Sequence, residues 1–216
     1  MHYKVNGLLI KTENAAKPIS QQSQWVLQWI SSLPRSSVVL DFGCGKFRYT
    51  IPLSKRVASV FAVDSIFQIE RTQIINEKKC TLTEYALKYL PNVTVCDVMH
   101  KDWQRPKYDY VLCSNVLSTI PSKQKRSQTL KSLLPLLKGD GNILICTQYR
   151  NSYFNSYKDN PKANRYLDGW VISSSRGVSF YGIIGPEELR HVCITAGFNV
   201  TECYSKGESA YVVANP

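Results

Sequence analysis

The run Val38-Val39-Leu40-Asp41-Phe42-Gly43-Cys44-Gly45 constrains the fold more than any other part of the chain, because an apolar strand passes through an acidic residue into a Gly-x-Gly turn. Dinucleotide-binding enzymes need G-x-G-x-x-G at such a turn, so that the backbone can approach a pyrophosphate and the third glycine can pack helix on strand. Here the third position is Arg48, and that fingerprint is broken. An anion at Asp41 beside the turn also repels a pyrophosphate at short range. It suits a ligand that has no phosphate and carries a positive sulfur or amino group.

A second apolar strand, Ala58-Ser59-Val60-Phe61-Ala62-Val63, ends at Asp64, 19 positions after Gly45. A spacing of about 20 residues lets a βαβ unit bring a carboxylate from its second strand end to the ribose hydroxyls of an adenosine lying across the first turn. Taken alone, an Asp after a strand reads equally as a turn or helix-capping residue. The pattern repeats, however: Asp97 follows Val93-Thr94-Val95-Cys96, and Asn115 follows Tyr110-Val111-Leu112-Cys113-Ser114. Successive strands that end in polar residues favour a ligand crevice along their carboxyl ends. S-adenosylmethionine (SAM), with its adenosine, its sulfonium and its amino group, matches these requirements.

From Trp25 to the C-terminus the chain resembles the class I SAM-dependent methyltransferases. The residues that carry the resemblance are the D-x-G-x-G turn at Asp41 to Gly45, the acids Asp64 and Asp97, the strand Tyr108 to Ser114, and Leu134-Pro135-Leu136-Leu137-Lys138-Gly139-Asp140-Gly141 leading into Asn142-Ile143-Leu144-Ile145-Cys146. The strings Gly45-Lys46-Phe47-Arg48-Tyr49 and Asp168-Gly169-Trp170 are similar to an uncharacterised bacterial subgroup. One departure stands out, since Phe47 occupies the place of the family's usual third glycine. The resemblance implies an α/β, doubly wound, mostly parallel seven-stranded sheet with an antiparallel C-terminal strand. It implies SAM as the cofactor, held by Asp41, Gly43, Cys44, Gly45, Asp64, Asp97 and Asn115.

At 216 residues and 44% hydrophobic content the chain has enough material for one core, and residues 1–216 are expected to form a single SAM-binding domain. No apolar run approaches the roughly 18 residues of a membrane span, and Met1-His2-Tyr3-Lys4-Val5-Asn6 lacks a signal peptide's apolar core, so a cytoplasmic location is expected. The cysteines at 44, 80, 96, 113, 146, 193 and 203 include no C-x-x-C pair and mostly sit in apolar contexts, Cys44 inside the glycine turn being the exception in position. They read as reduced core residues, with no metal site. A net charge of +11 attracts polyanions and leaves a nucleic-acid partner open. The cluster Lys123, Lys125 and Arg126 reads equally as the solvated face of a helix.

Residues 1–33 are expected to form an arm followed by a helix over Gln21 to Ser32, with Trp25, Val26, Trp29 and Ile30 facing the core. Strands are expected at Val38 to Leu40, Ser59 to Val63, Val93 to Cys96, Tyr108 to Cys113 and Asn142 to Thr147. Helices are expected over Phe47 to Lys55, Ile66 to Lys79, Thr81 to Leu90 with a Thr81-x-x-Glu84 capping box, Lys123 to Leu137, and from Pro186 to Gly197. Phe198 to Tyr204 and Ser209 to Ala214 read as a closing β-hairpin that supplies an antiparallel edge strand. Between the fifth strand and the Pro186 helix, residues 148–182 form a long polar and aromatic insertion, which in a compact domain serves as a cap over a ligand or as a partner surface.

Methyl transfer is an in-line displacement that asks an enzyme mainly for alignment of donor and acceptor, an effect that reaches about 7–11 kcal/mol in favourable cases. A catalytic pair is therefore not required, and a base is needed only if the acceptor must lose a proton. His2, His100 and His191 read as bystanders. Tyr149 and Arg150, directly after the fifth strand, are the expected catalytic and acceptor-facing residues, with Asn151, Tyr153 and Trp170 as substrate-binding residues. After the fourth strand stands Ser114-Asn115-Val116-Leu117, where amino-directed DNA methylation carries Asp/Asn-Pro-Pro-Tyr/Phe and cytosine C5 methylation carries Pro-Cys. A small-molecule acceptor is thus favoured over RNA or DNA, and a SAM-binding protein that transfers no methyl group is the third reading.

Overall fold

Apolar runs that alternate with helical stretches build a parallel sheet wherever a crossover can carry the chain back, and the computed structural model, which describes residues 2–150 and 153–216, follows that rule. The chain opens with β1 (His2–Val5), β2 (Leu8–Lys11), α1 (Gln24–Ser32) and β3 (Val38–Phe42). It continues through α2 (Thr50–Arg56), β4 (Ser59–Asp64), α3 (Ile66–Glu70), the short strands β5 (Gln73–Ile75) and β6 (Lys78–Cys80), α4 (Leu82–Tyr89) and β7 (Val93–Asp97). Next come β8 (Tyr108–Ser114), α5 (Lys123–Leu133), β9 (Leu137–Gln148) and α6 (Tyr153–Ser156). The last third holds β10 (Ala163–Tyr166), β11 (Gly169–Ser174), β12 (Gly177–Gly182), α7 (Pro186–Thr195), β13 (Asn199–Lys206) and β14 (Ser209–Asn215).

Seven strands form the main sheet in the order β7-β4-β3-β8-β9-β14-β13. Two compact units are present: Met1–Ala15, Cys113–Pro135 and Ile143–Pro216 make one, and Ala16–Leu112 with Leu136–Asn142 make the other. In the second unit β3 pairs in parallel with β4 on one side and β8 on the other, Leu40 lying opposite Phe61 and Val111. The strand order reverses at β3, and ligands of open α/β sheets bind at the carboxyl ends of strands at such a point. Gly141 lies where an added Cβ would come 2.7 Å from the carbonyl oxygen of Asp109, which explains the glycine there. In the first unit β14 runs antiparallel to both β9 and β13. The closing hairpin thus supplies the expected antiparallel strand, but β14 is internal and β13 takes the edge.

Several expected elements are corrected. The helix expected over Ile66 to Lys79 stops at Glu70, and Gln73 to Cys80 form a hairpin turning at Asn76 and Glu77, both with positive φ. A two-residue turn of that hand matches the twist of paired strands. Ile75 lies fully buried between Phe47, Leu82 and Tyr85, so packing selects the strand for a stretch whose apolar spacing also suits a helix. The helix expected from Phe47 begins only at Thr50, and the one expected to reach Leu137 ends at Leu133, β9 starting at Leu137 rather than Asn142. In α1, Val26 and Ile30 are buried while Trp25 remains substantially exposed.

Within the expected insertion 148–182, residues 163–182 are largely strand. Strands β10, β11 and β12 pair antiparallel, and β2 joins β12 in parallel at Ile10 and Val178, giving a second sheet in the order β1-β2-β12-β11-β10. The expected N-terminal arm is therefore a hairpin that completes this sheet. Arg126, expected on a solvated helix face, is fully buried. Its Nη1 and Nη2 grip the two carboxylate oxygens of Asp168, its Nε donates to the Ile120 carbonyl at 2.9 Å, and its guanidinium lies over the Phe180 ring. Among the described residues no helix is long and apolar enough to cross a membrane.

Candidate cofactor site

Within the second unit the carboxyl ends of β3, β4 and β7 bring together Asp41, the Gly43–Gly45 turn, Asp64 and Asp97. The turn needs positive φ at Gly43 (76°) and Gly45 (58°), and it is tied to β4 by the N–H groups of Gly43 and Cys44, which donate to the Val63 carbonyl at 2.8 and 3.1 Å. Phe47 also takes a positive φ, 60°. It does what a glycine would do in backbone terms, against a cost of about 1–3 kcal/mol for the strained conformation. Its fully buried ring, set edge-on to Tyr85 at 6.1 Å, offsets that cost by filling the core under the turn. The departure at Phe47 is thus a packing solution to the same turn.

Asp64 is the centre of the arrangement. Its Oδ2 accepts the N–H of Gly45 at 2.9 Å and its Oδ1 accepts the N–H of Ser65 at 2.7 Å. Burial raises its pKa, and these two bonds work in the opposite direction. A carboxylate has about four lone-pair positions, so positions remain for ligand hydroxyls after both backbone bonds are made. Asp97 lies directly beside Asp64 in the β4–β7 register and accepts the N–H of Met99 at 3.2 Å.

Asp41 serves the turn from beneath. It is 3% exposed, and its Oδ2 accepts the Thr50 hydroxyl at 2.6 Å. Burial pushes its pKa up to about 6, Thr50 and Arg48 acting against that rise and Asp64 adding to it. The neutral form is thus favoured by folding, and the stability it contributes is complete below the ordinary carboxylate pKa of 3.8 and lost as pH rises through about 6. A shift of this size corresponds to about 3 kcal/mol. Asp41→Asn is expected to melt higher than the wild type at pH 7.5 and no higher at pH 3.5, as thermal melts at the two pH values would show. An equal difference at both would remove this account of Asp41.

Cys44 contributes its backbone alone. Its buried thiol is pushed well above the ordinary range, first by burial and then by the charges of Asp64 and Asp41, so it stays protonated. Sequence reasoning missed Arg48, which is buried and donates through Nη1 to the Gln21 carbonyl at 3.2 Å. It also missed Gln68, fully buried, whose amide donates to the Gly45 carbonyl. Gln68 is three residues after Ser65, a capping-box spacing that the sequence displays plainly.

The first unit holds the other expected residues. Asn115, φ 61°, donates its N–H to the Cys146 carbonyl at 2.8 Å. Tyr149 and Arg150 are held by their N–H groups, which donate to the Glu208 carbonyl at 2.9 and 3.2 Å. The Arg150 guanidinium lies 5.0 Å from the Tyr149 ring centre, and the Tyr149 hydroxyl is buried with no hydrogen-bond partner. Trp170 meets Tyr157 edge-on at 6.2 Å and carries Arg165 over its ring at 5.3 Å. Asn151 lies outside the described residues, as does the side chain of Tyr153. His100 and His191 are exposed and His2 pairs with Glu13. Among the described residues no three His, Cys, Asp or Glu side chains gather as a metal site.

The residues present fit SAM. After its two backbone bonds the Asp64 carboxylate keeps acceptor positions of the kind a ribose needs, and the buried Ser65 Oγ and Gln68 Oε1 have no hydrogen-bond partner in the protein. An acid at the second strand end, a glycine turn with no third glycine and a sheet that reverses at β3 define a Rossmann-like protein built for a nucleoside without phosphates. Residues 14–203 match the family described as "Methyltransferase domain", and the chain belongs to that family, as a class I SAM-dependent member. It is 35% identical over 212 residues to the uncharacterised protein YmfD of Escherichia coli (strain K12), covering 98% of this chain and 95% of that one. Among solved structures it resembles the PH0226 protein of Pyrococcus horikoshii OT3, with TM-score 0.69, 19% identity, and 94% and 95% of the two chains covered. It also resembles an S-adenosylmethionine-dependent methyltransferase of Clostridium acetobutylicum ATCC 824, with TM-score 0.64, 12% identity, and 94% and 93% covered.

Proposed function

We propose that this protein transfers the methyl group of SAM to a small-molecule acceptor, as one SAM-binding domain in which Asp41, the Gly43–Cys44–Gly45 turn, Asp64, Asp97 and Asn115 serve the cofactor. The observation that carries this reading is the Asp64 carboxylate, pinned by two backbone N–H groups in an orientation that leaves acceptor positions for the ribose. Bound SAM supplies a methyl group already activated on a sulfonium. The protein's task is then to hold the acceptor in line and to exclude water.

For the acceptor side we assign Tyr149 and Arg150, with Trp170 and residues 148–182 choosing the substrate. A buried hydroxyl with no partner is costly, about 1–3 kcal/mol, and an acceptor oxygen or nitrogen that bonds the Tyr149 hydroxyl removes that cost. Arg150, exposed beside it, favours an acceptor with an anionic group. Calorimetry is expected to give heats for SAM and S-adenosylhomocysteine and none for NAD. With the acceptor found by mass spectrometry of cell extract, Tyr149→Phe and Arg150→Ala are expected to lower turnover about tenfold and leave SAM affinity within about threefold. NAD binding without a SAM heat ends the reading.

A nucleic-acid acceptor is the second reading, favoured by the net charge of +11 and by the row of Arg165, Trp170 and Tyr181 across β10, β11 and β12, on which a base could stack. It predicts RNA or DNA binding that weakens steeply with salt through counterion release. Strong, salt-sensitive binding lost in Trp170→Ala replaces the small-molecule reading.

A further inference from the structure

We propose that Gln68 is a positioning residue of the cofactor turn, fixing the backbone of Gly45 and through it the orientation of the Asp64 carboxylate. Glycine loses more conformational freedom on ordering than any other residue, so a turn containing Gly43 and Gly45 is ready for a ligand only if other groups hold it. Those groups all come from the end of β4 and the residues just after it. The Val63 carbonyl takes the N–H groups of Gly43 and Cys44, Asp64 takes the N–H of Gly45, and Gln68 donates to the Gly45 carbonyl. Both peptide groups flanking the Gly45 Cα are thereby held, and with them its two soft dihedrals.

Gln68 is itself braced. Its Nε2 also donates to Gln73 Oε1 at 3.0 Å, and Gln73 Nε2 donates back to the Gln68 carbonyl at 3.0 Å, so the two buried amides form a closed pair between α3 and the first strand of the β5–β6 hairpin. The arrangement departs from what the local sequence favours. Ser65 is the N-cap of α3 and Gln68 stands three residues on, the positions of a capping box. In a capping box the Ser65 hydroxyl accepts from the Gln68 N–H, while the Gln68 side chain accepts the Ser65 N–H. Here the Ser65 hydroxyl makes no cap bond, its N–H goes to Asp64, and the Gln68 side chain reaches Gly45. Helix α3 gives up its cap, and both groups are spent on the Asp64 carboxylate and the turn. A local rule broken in favour of a ligand site marks a functional requirement.

The proposal rests on the reading that Asp64 binds the ribose. Its test is a double-mutant cycle read by calorimetry with S-adenosylhomocysteine, alongside thermal melts. Gln68→Leu is expected to weaken S-adenosylhomocysteine about tenfold in the wild-type background and less than about twofold in the Asp64→Ala background, because a group that acts through Asp64 has nothing to orient once Asp64 is gone. Gln73→Leu, which leaves the bond to Gly45 in place, is the milder variant, expected at about threefold with the same non-additivity. Equal losses in both backgrounds, or no loss in either, overturn the positioning role. An unchanged affinity in Asp64→Ala alone overturns the ribose reading and this proposal together, whereas a normal loss there with additive Gln68 effects overturns the proposal alone.

Discussion

Asp168→Ala is expected to destabilise the protein by about 3–5 kcal/mol, because it leaves the Arg126 guanidinium charged and without its carboxylate in a place water does not reach. Arg126 has no exposed surface, and an added Cβ at Gly182 would come 2.6 Å from its Nη2, so the guanidinium has little room to turn toward another acceptor. For a chain of this length a loss of that size corresponds to a drop of roughly 6–20 °C in Tm. Thermal unfolding followed by circular dichroism measures it. Arg126→Met combined with Asp168→Leu is expected to recover most of the loss, since an apolar pair of similar volume often replaces a buried ion pair without cost. A Tm within 2 °C of wild type in Asp168→Ala would falsify the assignment of this pair as a structural pin of the first unit.

Asp64→Ala is expected to weaken SAM by about one to two decades, the worth of a charge-assisted hydrogen bond of about 1.5–3 kcal/mol. Two losses add here. On the proposed reading the ribose hydroxyls lose their acceptor, and the Gly45 N–H loses the oxygen that holds it at 2.9 Å. Isothermal calorimetry with SAM and with S-adenosylhomocysteine should return the same factor for both, because they share the ribose and differ at the sulfur. A dissociation constant equal to that of wild type would mean that Asp64 serves the turn and nothing else.

The strand–acid–glycine turn was readable because its signals are short. Asp41, the two glycines and Asp64 lie at the ends of adjacent strands, and the parallel pairing of β3 with β4 brings them together with no further information. The Thr81 cap is similar: Glu84 and Thr81 exchange both capping-box bonds within one turn of helix. The hairpin at Gln73 to Cys80 was legible in principle, as two short runs separated by Asn76-Glu77, but Ile66, Ile69 and Ile74 also fall near helical spacing and the longer pattern concealed the turn. The place of Tyr149 and Arg150 directly after β9 could be read from the sequence, while the pairing of β2 with β12 that completes the second sheet could not.

By itself the sequence determined what depends on neighbours a few residues apart: the strand–acid–glycine turn, the alternation that demands crossovers, the closing hairpin and the preference for a nucleoside without phosphates. Tertiary structure alone decided which polar groups are buried and with whom. Arg126 and Asp168 meet across 42 positions, Gln68 and Gly45 across 23, and Ile10 pairs with Val178. The reason is physical. A charge or an amide can leave water only where a partner compensates the lost hydration, and that partner is supplied by whichever distant surface the fold brings up. The same basic residue that reads as a solvated helix face in a window of sequence becomes, once the second sheet covers it, the most deeply buried charge in its unit.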